Sequence, residues 1–184
     1  MRLVSMREGE EDMNVEDAIR TRRTHKAYQP EQVDRATLDE LFELARWAPN
    51  HHLTNPWRFR VLGPQAMERL KRAADAVEEG SGRKLDRAPT LVSVTVAPTG
   101  DPLQDREDLI AGGVAAYIVL LAAHARGLAG YWRTPAVLRD PAGRAALGIA
   151  EHEEVVGLLH LGYPRQEQQA PERAPVADVV EYLD

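Results

Sequence analysis

The 184-residue chain contains no cysteine, which removes disulfides, thiolate metal sites and cysteine nucleophiles from consideration. It carries no G-x-G-x-x-G, no P-loop and no G-x-S-x-G, so neither a dinucleotide or Walker-type fold nor an α/β-hydrolase has support. There is no excess of positive charge. The formal net charge of -6 opposes non-specific attraction to nucleic acid. The most apolar run, Leu109 to Ala123, falls short of the roughly 20 residues that span a bilayer, and His124 and Arg126 follow it; a buried helix is the expectation, with no membrane partner. The opening stretch lacks the apolar core and small-residue cleavage site of a signal peptide. With the missing cysteines, this fits a cytoplasmic protein. Internal repeats and low-complexity segments are also absent.

What remains is ordinary globular material, 43% hydrophobic and 28% charged, of a length that suits one domain. Residues 1–13, with their acidic "EGEED" run, read as a flexible extension, and residues 14–184 as a single domain. Asn14 is placed to cap a first helix with Val15, Ala18 and Ile19 on one face, and Asp34 to cap a second with Leu38, Leu41, Phe42 and Ala45. Pro49 stops the second helix. The alternation in "WRFRV" predicts a half-buried strand and the β-branched "TLVSVTV" a strand buried on both faces. A third helix follows Pro64. The polar, glycine-bearing "EEGSGRKLDRAPT" reads as a mobile excursion, a candidate lid. The longest helix runs from about Gln104 to Arg126 and ends at Gly127; Asp140-Pro141 opens a short helix that Gly148 closes; "EEVVGLLHLGYP" is a further strand, and an extended tail ends the chain. Helices and strands in this order give an α+β fold with a small, non-repeating sheet.

Three stretches carry chemistry. Arg22, Arg23, Thr24, His25 and Lys26 follow the first helix. They read either as a solvated basic helix end or as the equipment for an oxyanion, two guanidinium forks beside a hydroxyl and backbone N–H groups. "APNHHLTNPW" sets two histidines and two asparagines between prolines. Adjacent histidines without a spaced partner make a poor metal site, and Asn50, Asn55 and Trp57 are turn and core residues unless the loop binds something. "GYWRT" repeats an arginine and a hydroxyl beside an aromatic.

Taken in order, "RTRRT", "APNHHLTNPWRF", the alanine-rich helix, "GYWRT" and "VVGLLHLGYP" resemble the nitroreductase family of FMN-dependent oxidoreductases, most of all its short bacterial YdjA-like members. The resemblance covers the chain from about Met13 to its end. It implies a nitroreductase fold, a central small antiparallel or mixed sheet flanked by helices, in an intertwined homodimer with FMN at the interface. It implies electron transfer from NADH or NADPH through FMN, in ping-pong fashion, to a small nitroaromatic, quinone or related acceptor. An FMN-binding sensor or carrier without turnover is the alternative. By the same resemblance Arg22, Arg23 and Thr24 would hold the FMN phosphate and ribityl chain. His51 and Asn55 would face the flavin, Asn55 standing where glutamine is usual. Trp132, Arg133 and Thr134 would approach the ring and phosphate end, Arg133 or Arg23 would stabilise the charge of reduced flavin, and Arg173 matches a C-terminal phosphate-contacting arginine. No side chain is required as catalytic acid or base, since the flavin carries the chemistry.

Overall fold

The computed structural model describes residues 13–183; the extension expected at 1–13 therefore lies, but for Met13, outside the described residues. Asn14 accepts from the Asp17 amide and opens α1 (Val15–Thr21). Asp34 accepts from Thr37 and opens α2 (Arg35–Ala45). Both caps satisfy amides that a helix start leaves without partners. β1 (Trp57–Val61), α3 (Pro64–Val77), β2 (Thr90–Val96), α4 (Pro102–Ala125), β3 (Ala129–Arg133), α5 (Pro141–Leu147) and β4 (Glu154–Gly162) follow. Pro102 and Pro141 occupy first-turn positions behind the aspartate caps Asp101 and Asp140, where a missing amide costs nothing.

The four strands form one antiparallel sheet in the order β1-β2-β4-β3. A register shift between Val94, paired with Gly157, and Thr95, paired with Val155, leaves Val156 as the extra residue of a bulge in β4. Side chains alternate across the sheet. Val92, Val94, Val96, Leu159 and Leu161 meet α2 and α4 on one face, while Leu91 and Leu158 meet α3 and α5 on the other. Gly112 of α4 lies so close to Val96 and Val156 that any Cβ would collide with them. The helix can approach the sheet there only because the residue is glycine.

α4 is long and apolar enough to cross a bilayer. Its Ala111, Ala115, Ala116, Val119 and Ala123 are instead buried in the protein. Leu103, Ile110, Val114, Tyr117, Leu121 and His124 share a second face, spaced three, four or seven residues apart. All six are exposed or half-buried, with Leu103 at 69% and Ile110 at 63%.

Several expectations are corrected. The candidate lid is packed: Gly82–Arg87 forms a 3-10 turn, Leu85 is 1% exposed, and Asp75 accepts from the Gly82 amide at 2.7 Å. On α1 only Ala18 faces inward, whereas Val15 and Ile19 are exposed. "AGYWR" is an edge strand that its glycine-bearing sequence did not announce.

Candidate functional site

The basic segment leaves the helical path at Arg22 and runs along the open edge of β3. Thr24 bridges Gly130 and the His25 amide donates to the Gly130 carbonyl at 3.1 Å. This backbone pairing fixes the side chains in a row beside α4. The Arg22 guanidinium lies 5.9 Å from the centre of the Tyr117 ring, and its Nε is buried without a partner. Arg23 Nη1 donates to the carbonyls of Arg20 and Arg22. His25 is buried with Nδ1 unpartnered. His124, from the last turn of α4, shares a 2.7 Å hydrogen bond with the Thr21 hydroxyl.

The electrostatics of this corner are one-sided. Among the described residues no carboxylate forms a salt bridge with Arg22, Arg23 or Lys26. Burial, then the charge of Arg22, holds His25 below its ordinary value. Burial, then Arg22, His25 and Arg23, does the same to His124. Buried polar groups ordinarily have partners. Arginines gathered without a carboxylate, one with an orphaned buried N–H, are built for an anion, and the fork geometry suits phosphate oxygens.

The loop between the prolines is held at the other end of α4. His52, Leu53 and Asn55 all have positive φ, at 54°, 52° and 47°, a region costly for side chains other than glycine and least so for asparagine. Two anchors hold this strain. Asn50 Oδ1 accepts from the Asn55 amide at 3.0 Å, and Asp108, fully buried in α4, accepts from the Thr54 hydroxyl at 2.7 Å and from Gln104 at 2.9 Å. His51 pairs with Glu107 at 3.1 Å. The Asn55 amide is turned back onto the Leu53 carbonyl at 2.8 Å, so the shortened side chain is engaged within its own loop. Among the described residues no group of three or more potential ligands could hold a metal.

On β3 the side chains divide. The Trp132 indole turns toward α4 and donates to the Val156 carbonyl at 3.1 Å, in space that the missing Cβ of Gly157 leaves. Arg133 projects from the opposite face, 5.7 Å from the Tyr131 ring and in reach of the Lys84 carbonyl, away from Arg22. Thr134 is exposed just past the strand, and Arg173 stands exposed in the C-terminal segment.

One chain thus joins Arg22, Arg23 and Thr24 to β3 but keeps His51 and Asn55 apart from them. Sixteen residues separate Asp108, under the loop, from His124, beside the cluster, about 24 Å of helix. Sequence reasoning missed His124, Tyr117 and Asp108. For the first two, the seven-residue spacing along one helical face was the available signal; Asp108 offered none.

Comparisons with known proteins bear on the chain as a whole. The model of the Nitroreductase family matches residues 19–163. The Bacillus subtilis protein YfhC, which carries an NAD(P)H nitroreductase name, is 26% identical over 175 residues, 88% of this chain and 90% of its own. The similarly named Escherichia coli K12 protein YdjA is 30% identical over 139 residues, 70% and 76% of the two chains. A Desulfovibrio desulfuricans protein described as a nitroreductase, solved in complex with FMN, superposes with a TM-score of 0.79 at 24% identity, over 95% of this chain and 99% of that one.

Proposed function

The chain belongs to the nitroreductase family of oxidoreductases, and from that membership we propose that it is an FMN-dependent NAD(P)H oxidoreductase that reduces a small, flat acceptor such as a nitroaromatic or a quinone. The observation that carries the reading is the carboxylate-free corner of Arg22, Arg23 and His25, with the buried Nε of Arg22 lacking any partner. It fits the phosphate of FMN. When bound, FMN supplies hydride acceptance from NAD(P)H and electron delivery to the second substrate in alternating half-reactions.

The chain's own contribution is binding and placement. Arg22 and Arg23 hold the phosphate as charge-assisted donors, and Thr24 adds a hydroxyl fixed by its pairing with Gly130. The backbone of Trp132 to Thr134 flanks the ring, with the Trp132 indole locked by Val156 as the wall behind it. Arg133 serves the site by its backbone, since its side chain leaves toward Lys84. His51 and Asn55 come from a second copy of the chain. The 24 Å between the two groups of residues along one helix argues for this, as does the unpartnered stripe of α4 with exposed Leu53 and Trp47 beside the loop. Residues 14–184 act as one domain, Arg173 reaches the phosphate from the C-terminal segment, and the enzyme works in the cytoplasm.

The purified protein should be yellow, or become so with added FMN, and the flavin absorbance should bleach with NADH or NADPH under anaerobic conditions and return with an acceptor. A colourless protein that rejects FMN would overturn the proposal. A yellow protein that no nicotinamide donor bleaches would make it a flavin carrier.

A further inference from the structure

His124 has a tautomer that the hydrogen bonds determine. Thr21 has one hydroxyl hydrogen, and it goes to the Asp17 carbonyl at 2.6 Å. The 2.7 Å contact between Thr21 Oγ1 and His124 Nε2 therefore needs the histidine as donor. With Nε2–H committed, Nδ1 holds the lone pair. The neutral ring then has no second donor to offer an anion held by Arg22 and Arg23 unless Nδ1 gains a proton.

The surroundings set the sign. Burial, then Arg22, His25 and Arg23 of the basic segment, hold His124 below its ordinary value. On its own helix Tyr117 lies two turns back, and Arg126 is engaged by Glu40 of α2 at 3.2 Å. On α1 the Asp17 carboxylate is taken by Asn14 at 2.6 Å. Among the described residues no carboxylate forms an ion pair with Arg22, Arg23 or His124. A phosphate dianion would supply two negative charges there and invert the field that His124 feels. The last turn of α4, the negative end of the helix dipole, already favours a protonated ring.

We propose that His124 is a proton-coupled contact of the phosphate cradle: Nδ1 takes a proton from solvent as the phosphate dianion binds and holds it between ring and phosphate. The inference rests on FMN as the ligand. It makes cofactor retention dependent on pH above the range in which the phosphate itself titrates, about pH 6.

The test is FMN affinity, read by quenching of flavin fluorescence between about pH 7 and 8.5, where the phosphate stays dianionic. In the wild-type protein the dissociation constant should rise with pH, approaching tenfold per unit, as one coupled proton requires. H124Q keeps a donor for Thr21 and has nothing to titrate, so its slope should vanish while FMN still binds. Riboflavin, which lacks the phosphate, should bind without a slope in both. H124N, with circular dichroism to show that it folds, serves if H124Q does not. A slope that survives in H124Q, a slope that appears with riboflavin, or wild-type binding that ignores pH would each overturn the role of His124 and leave the FMN reading standing. Failure of the wild type to bind FMN at any pH would overturn both.

Discussion

Replacing His160 by leucine should make the protein less sensitive to acid. His160 sits in β4 between Leu91 of β2 and Tyr131 of β3, fully buried, with neither ring nitrogen partnered. Burial, then the charges of Arg133 and Arg87, pushes its pKa from 6.5 down to about 3. The native ring is therefore neutral across the working range, whereas the unfolded chain binds a proton below about 6.5. A group whose folded pKa is depressed favours the native state above its unfolded value and loses that advantage as pH falls between the two. At pH 5 the gap is about 1.5 units at 1.36 kcal/mol each, so His160 alone should remove about 2 kcal/mol of stability relative to pH 7. His25 and His124, also depressed, add to the acid sensitivity with the same sign. The informative quantity is thus the difference between proteins. Urea titrations at pH 7 and pH 5, at matched protein and FMN concentrations, should show His160→Leu losing about 2 kcal/mol less than wild type on acidification. Equal losses, within about 0.5 kcal/mol, would mean that the ring finds a proton partner in the native state and that the burial argument fails.

Other perturbations bear on different parts of the molecule. Gly143→Ala directs a Cβ into the Val137 carbonyl oxygen, backbone that cannot move aside, and should cost about 1–3 kcal/mol, seen as a lowered Tm; Gly63→Ala, with nothing within 4 Å, is the control expected to differ far less. Arg60→Ala strips the buried Glu153 of both guanidinium hydrogen bonds. Burial works against ionisation of Glu153, but the bonds from Arg60 and Thr95 outweigh it and hold the carboxyl below its ordinary value. The loss should be about 2 kcal/mol, short of the about 3–5 for wholly buried pairs because Arg60 is partly exposed, and it should shrink below the ordinary carboxylate range; a loss that is constant down to pH 3 would count against the ion pair. Arg22→Ala and Arg23→Ala should each weaken FMN binding by about 1.5 kcal/mol or more with riboflavin affinity unchanged, and FMN binding that is indifferent to both would remove the phosphate site. Asp108→Ala frees Thr54 and Gln104 and should cost about 1–3 kcal/mol with faster amide exchange confined to residues 50–55; exchange unchanged in that loop would show that Asn50 alone holds its left-handed turns.

The helix starts were legible because the signal is local: Asn14, Asp34 and Asp140 cap in the structure as their positions predict. The β-branched strand was legible because its valines and threonines favour an extended backbone and carry no charge that would forbid burial on both faces. The segment around Leu85 was misread because one leucine among polar residues shows no period, and only the fold reveals that it enters the core beside Leu70 and Leu138. β3 was missed because it owes its strand conformation to β4, not to five residues containing a glycine. The same holds for the site. The chain order of the motifs named the basic segment, but which face of β3 Arg133 takes, and that Asn55 spends its amide on Leu53, are decided by neighbours distant in sequence.

The order β1-β2-β4-β3 also has a consequence for how the protein is made. β4 is central, paired on both sides, yet it is the last strand to be synthesised. Sixty-six residues separate the end of β2 from the end of β4, and at ordinary translation speeds of about 5–20 residues per second this is roughly 3–13 seconds. Through that interval β2, a strand the folded protein buries along its whole length, exposes an unpaired edge to the cell, the kind of surface that chaperones recognise and that aggregates form from. A ribosome paused before Glu154 would hold helices and a lone β1-β2 pair, and the cradle edge at Gly130 would have no sheet behind it. Synonymous codon changes that slow translation between residues 97 and 153 should therefore lower soluble yield without altering the protein that does fold.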